Sequence, residues 1–202
     1  MKAKMKKLNS LKSEIPLPIR LFLGKALLVF VVWQIIYLGF FKYSKELDHP
    51  LTTHVAKAST FILNNLTPMS GFSTSRVDTS WINEGEYLFE EASQIHHNNK
   101  LVLFIADSCN GLELIVLYIG FIICMPSKFY RKILYIVIGV VLLDIINIFR
   151  CVGLIYLREY LQAYFQFAHK YLFKITVYAA TFLIWRFYAR KINLKNEIVP
   201  VR

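Results

Sequence analysis

Apolar residues run almost unbroken through 21–41, roughly 110–126, 133–149 and 171–189, and each run approaches the ~20 residues a helix needs to cross a hydrocarbon core. Shorter patterns fill the stretch between the first two runs. In LTTHVAKASTFILNNL, Leu51, Val55, Ile62 and Leu66 fall near a helical repeat, which predicts an amphipathic helix lying on a membrane surface. The TPMSGFSTS that follows is rich in turn formers, while EYLFEEASQI and KLVLFIAD around HHNN suit a pair of strands. Segment 155–168, IYLREYLQAYFQFA, is aromatic and lightly charged, as expected for chain lying at an interface. The pattern predicts an all-α polytopic membrane protein with about four transmembrane helices, and an outer amphipathic helix and short strand segment between helices one and two.

Composition agrees, since 56% of the 202 residues are hydrophobic, above the share in an ordinary soluble domain. Little chain is left for a separate domain, so residues 1–202 are read as one integral-membrane unit: a basic tail over 1–20, an outer segment over 42–109 and a helical core over 110–190. The net charge of +11 invites a nucleic-acid reading, and its distribution argues against one. Lys2, Lys4, Lys6, Lys7, Lys12 and Arg20 precede the first span. Lys128, Arg131 and Lys132 lie between spans two and three, and Arg186, Arg190, Lys191, Lys195 and Arg202 close the chain. Segment 42–100, by contrast, carries five basic residues against seven acids. Lys and Arg accumulate on the cytoplasmic side, so both termini are expected inside, and 42–109 and 150–170 outside. The run 21–41 is read as a retained helix, being too long for a signal-peptide core and lacking an A-x-A site after it.

This topology brings three reactive side chains to one depth. Cys109 in DSCNGLE begins span two, Arg150 ends span three and His169 begins span four, all on the outer side. A thiol, an imidazole and a guanidinium are the parts of an acyl-transfer site: nucleophile, general acid/base and permanently charged oxyanion donor. A helix starting near Ser108 puts Cys109 in its first turn, where the dipole favours a thiolate, and N–H groups near Asn110 and Gly111 become oxyanion donors. Asp107 and Glu113 oppose that thiolate, and Arg150, held by Glu113, offsets them. Asp144, Asn147 and Cys151 share a stripe beside Arg150 and are read as a buried polar network that positions it. Cys124, about 22 Å below Cys109 at 1.5 Å per residue, is read as packing. Cys151 is a candidate disulfide partner of Cys109 in an oxidising compartment. His96 and His97 are read as part of a polar turn, because adjacent residues rarely point at one metal and no third ligand lies close. Neither metal nor cofactor is expected.

DSCNG before an apolar helix, NIFR near the outer end of the next and FAHKY opening the last resemble the signature blocks of the exosortase/archaeosortase family of integral-membrane cysteine transpeptidases. The likeness covers roughly 101–180, and the chain is more similar to the short members found in Bacteroidetes-type bacteria, although many members have Ala-Cys-Ser-Gly where this chain has Ser-Cys-Asn-Gly. It implies catalytic roles for Cys109, Arg150 and His169. It also implies cleavage of C-terminal sorting signals on membrane-anchored exported proteins, at the outer face of the bacterial cytoplasmic membrane. Water as acceptor gives a protease; an amine on a glycan or lipid gives a transpeptidase. The alternative is a non-catalytic accessory subunit of an export or surface-assembly system, in which Arg150, Asp144 and Glu113 form a structural ion network.

Overall fold

The computed structural model describes residues 17–41, 46–83, 86–125 and 127–190. The basic residues Lys2 to Lys12, Lys191, Lys195 and Arg202 lie outside them. In chain order the elements are α1 (Leu17–Ile36, continued by a π-helical turn Tyr37–Phe41), α2 (Asp48–Leu66), β1 (Phe72–Asn83), β2 (Glu86–His97) and β3 (Lys100–Ala106). A 3-10 turn (Asp107–Cys109) follows, then α3 (Leu112–Cys124), α4 (Phe129–Tyr160), α5 (Gln162–Phe167), a π-helical turn (Ala168–Leu172) and α6 (Phe173–Arg190).

The amphipathic helix and the strand pair form as expected. Helix α2 buries Val55, Ala56, Ser59 and Leu63 and ends where Thr67 takes the extended conformation that the following Pro68 imposes. Strands β2 and β3 pair antiparallel around Asn98 and Asn99, both left-handed (φ 49 and 65), the geometry of a tight hairpin turn and one Asn tolerates. The turn-rich segment expected after α2 is irregular over 67–71, and its last four residues open a third strand, β1, which completes an antiparallel sheet of order β1-β2-β3. The protein is therefore mostly helical and not all-α.

Two cores hold these elements. In the first, Phe72, Ile95, Val102 and Ile105 of the sheet meet Val55 and Leu63 of α2 and Ile148, Cys151 and Ile155 of α4. Each such side chain contributes roughly 1.5–3 kcal/mol when fully buried from water. His97 joins this assembly: its ring stacks on Phe72 at 4.3 Å and its Nδ1 lies 2.9 Å from Glu159 Oε1, so the HHNN turn ties the sheet to α4. The second core joins the apolar helices. Tyr118 and Ile122 of α3 pack with Leu143 of α4 and Tyr188 of α6, Phe121 stacks on Trp185 at 4.4 Å, and Phe22 of α1 meets Phe121 in a T-shaped contact at 5.5 Å. Gly139 leaves the space that the Tyr118 ring occupies, and the Tyr118 hydroxyl donates to the Tyr135 carbonyl at 2.6 Å.

Among the described residues, two segments are long and apolar enough to cross a membrane, Arg20–Phe40 and α4. Helix α3 is apolar but has 13 residues, and α6 has 18. Leu27, Leu28, Phe30, Val137, Val141 and many other large side chains of these helices face outward. So much apolar surface without a protein partner fits a lipid solvent. Helix α4 also runs further than expected. Segment 155–160 continues it, so Arg150 sits inside the helix, about 15 Å before its end at 1.5 Å per residue.

Candidate active site

Residues 107–111 form a compact hinge between sheet and bundle. Cys109 lies in the 3-10 turn, ahead of α3, which begins only at Leu112; the first-turn placement is thereby corrected. The junction is Gly111, with φ 88 and ψ 1. Only glycine takes that left-handed conformation without strain. A Cβ there would also lie 3.2 Å from Asn147 Nδ2, so the position needs glycine twice over.

Buried polar contacts fix the hinge from three sides. Asp107 receives two hydrogen bonds at 3.2 Å from Arg76 Nη2 of β1 and one at 2.6 Å from the Thr52 hydroxyl of α2. Its charge is thus neutralised by Arg76. The Asn110 amide donates to Asp48 Oδ1 at 2.8 Å, while its Oδ1 accepts the Leu112 N–H at 2.8 Å and caps α3. Asp48 Oδ2 in turn accepts from the Tyr37 hydroxyl at 2.9 Å, linking the C-terminal end of α1 to the cysteine turn. Sequence reasoning missed Arg76, Thr52, Asp48 and Tyr37. Asp48, Thr52 and Arg76 are scattered polar residues of the segment 42–100, Tyr37 belongs to the run read as the first span, and their partners lie 11 to 62 positions away.

Arg150 reaches the cysteine. Its Nη2 lies 3.8 Å from Cys109 Sγ, its Nη1 donates to Asn147 Oδ1 at 3.2 Å, and the Asn147 amide donates to the Cys109 carbonyl at 3.3 Å. Arg150 Nε is buried without a partner among the described residues. Asn147 therefore bridges Arg150 and the Cys109 backbone carbonyl. The other expected supports do not. Asp144 turns away to His54, 3.0 Å from its Nε2, and Glu113 is exposed with no ion pair to Arg150. The Asn110 N–H is spent on the Asp107 carbonyl at 3.3 Å, whereas the Gly111 N–H has no backbone acceptor among the described residues. Cys109, Cys124 and Cys151 are all free thiols, and Cys151 is buried in the first core.

His169 lies in the π-helical turn between α5 and α6, so it precedes the last helix instead of beginning it. Its ring is parallel to Phe165 at 5.8 Å, and the Arg158 guanidinium covers the other member of that stack at 5.3 Å. Burial, then the positive charges of Arg150, Lys174 and Lys170, hold its pKa below the ordinary histidine value, so the neutral imidazole dominates at pH 7. No hydrogen bond joins His169 to Cys109 among the described residues. Catalytic contacts often close only around substrate, and a π-helical turn is a common seat for functional residues.

A family model describing transmembrane exosortases (Exosortase_EpsH) matches residues 18–187, from the first helix nearly to the end of the last and well beyond the region carrying the signature blocks. No curated protein and no solved structure matches the chain. With the match spanning most of its length, the chain belongs to the transmembrane exosortase family, whose members are in general cysteine transpeptidases.

Proposed function

We propose that this protein is a membrane-embedded cysteine protease or transpeptidase that cleaves C-terminal sorting signals of exported proteins at the outer face of the bacterial cytoplasmic membrane. The observation that carries the reading is the Arg150 guanidinium 3.8 Å from Cys109 Sγ, held there by Asn147. In the accessory-subunit reading Arg150 would belong to an ion network with Asp144 and Glu113, and neither contacts it.

The chemistry follows from these groups. Neutral His169 takes the Cys109 proton, and the thiolate attacks the scissile carbonyl. Arg150 and the Gly111 N–H stabilise the oxyanion. The tetrahedral intermediate collapses to a thioester as the imidazolium gives its proton to the leaving amine. His169, neutral again, removes a proton from the acceptor, water or an amine on a glycan or lipid, and the thiolate is released. Asn110, Asn147 and Gly111 hold the turn in place for this sequence. The substrate's own transmembrane helix would dock laterally against the bundle, which accounts for a nucleophile at a membrane boundary.

Four crossings are part of this reading: α3, α4 and α6 share one apolar core, Phe22 of α1 packs on Phe121 of α3, and Lys132 at the far end of α4 donates to the Ile123 carbonyl at the far end of α3. An impermeant thiol reagent applied to intact cells, on single-cysteine variants at 49, 129 and 160 that lack Cys109, tests the orientation, and release of a tail-anchored reporter is followed in parallel with the wild-type chain. Labelling at 49 and 160, protection at 129 and release of the reporter domain are expected. Labelling at 129 with protection at 49 and 160 would put the cysteine turn on the wrong side for exported substrates.

A further inference from the structure

The end of the bundle remote from Cys109 contains a second, chemically different feature. Helix α3 rises only ~20 Å at 1.5 Å per residue, against a hydrocarbon core of ~30 Å, and Met125, preceding Pro126, turns extended where it stops. Beside that end, α1 and α3 form an open cleft of about 380 Å³ lined by Arg20, Gly24, Lys25, Leu28, Ile123 and Cys124. Its walls are apolar and its charges are of one sign. Arg20 Nε is buried without a partner among the described residues, and Lys132 sits next to the cleft on the Ile123 carbonyl. No Asp or Glu occurs in 17–41 or 114–143, and the one carboxylate of α3, Glu113, stands at the opposite end of that helix, ~15 Å from Ile123 at 1.5 Å per residue. Lys25 lies ~8 Å inside an apolar run, a depth at which a charge ordinarily needs a partner.

We infer that this cleft binds one anionic phospholipid of the cytoplasmic leaflet, its phosphate held by Arg20 and Lys25 and an acyl chain lying along Leu28 and Ile123. Arginine offers a planar fork to phosphate oxygens and lysine a mobile point charge. Basic pockets between membrane helices on the cytoplasmic side are suited to such headgroups. Simple snorkelling would carry both cations outward to bulk headgroups, with no need for a cleft or a buried guanidinium nitrogen. Gly24 supplies the room: a Cβ built there meets nothing within 4 Å.

The full chain, purified in detergent and equilibrated with equal amounts of phosphatidylglycerol and phosphatidylcholine, is examined by native mass spectrometry. Wild type should retain one phosphatidylglycerol. The double variant Arg20→Gln/Lys25→Gln should bind it roughly 30-fold more weakly, about fivefold per cation. Gly24→Leu keeps both charges, adds its side chain to open space and should also lose the lipid by filling the cleft. Lys128→Gln, outside the cleft, should retain it. Equal retention by wild type, the double variant and Gly24→Leu would overturn the proposal, as would loss in Lys128→Gln, which would mark diffuse charge. Displacement of the lipid by millimolar inorganic phosphate would show that the site takes a free anion and not a lipid.

Discussion

Replacing Cys109 by alanine is expected to reduce processing of a tail-anchored substrate to background at normal protein abundance. The turn that carries the residue is held by contacts to other side chains: Asp107 to Arg76 and Thr52, Asn110 to Asp48, and the Cys109 backbone carbonyl to Asn147. None of these uses the sulfur, so the variant should fold and insert while uncleaved substrate accumulates in the membrane. The other cysteines calibrate the result. Cys124 packs at the far end of the bundle, and Cys124→Ala should process at close to the wild-type rate. Cys151→Ala opens space in the first core and should act through stability. Wild-type processing by Cys109→Ala would end the cysteine mechanism.

Arg150→Lys has the second largest expected effect. The guanidinium uses one nitrogen on Asn147 and turns another toward Cys109 Sγ, a division of labour that a single ammonium cannot reproduce in the same geometry. Loss of one preorganised oxyanion donor typically costs roughly 10² to 10³ in rate. The lysine variant should therefore insert normally, keep an alkylatable Cys109 and cleave more slowly by about that factor. A mere interfacial anchor would tolerate lysine, since either side chain reaches the headgroups. Cleavage within about twofold of wild type at matched abundance would return Arg150 to anchoring and remove its oxyanion role.

The parts of this site legible in the sequence are those written in local spacing. Asn147 three residues before Arg150 is one helical turn, and that contact forms. The hairpin around Asn98 and Asn99 and the apolar stripe of α2 were equally local. Strand β1 was hidden because its sheet-facing positions include polar residues: Thr74 and Arg76 follow Phe72 at alternate places, so hydropathy shows no period of two. Arg76 faces inward because Asp107, 31 residues later, receives it. The same blindness to distant partners misassigned Asp144, whose partner His54 lies 90 residues earlier. The start of α3 was misread because Ser108 resembles a helix cap, whereas the chain uses Gly111 in a left-handed conformation and the Asn110 side chain instead. No proline or glycine interrupts 154–160, and a lightly charged aromatic run there reads as interface when it is in fact two further turns of α4.

The most direct measurement is capture of the acyl-enzyme. Substrate is mixed with the purified protein in membranes, the reaction is quenched in acid, and the protease-digested enzyme is read by mass spectrometry. The account predicts a hydroxylamine-labile thioester joining the new C-terminus of the substrate to the peptide that contains Cys109, and its slower formation in His169→Gln, where neither thiolate formation nor protonation of the leaving amine is assisted. Efficient cleavage with no adduct on that peptide, or with the adduct on Cys124 or Cys151, would contradict it.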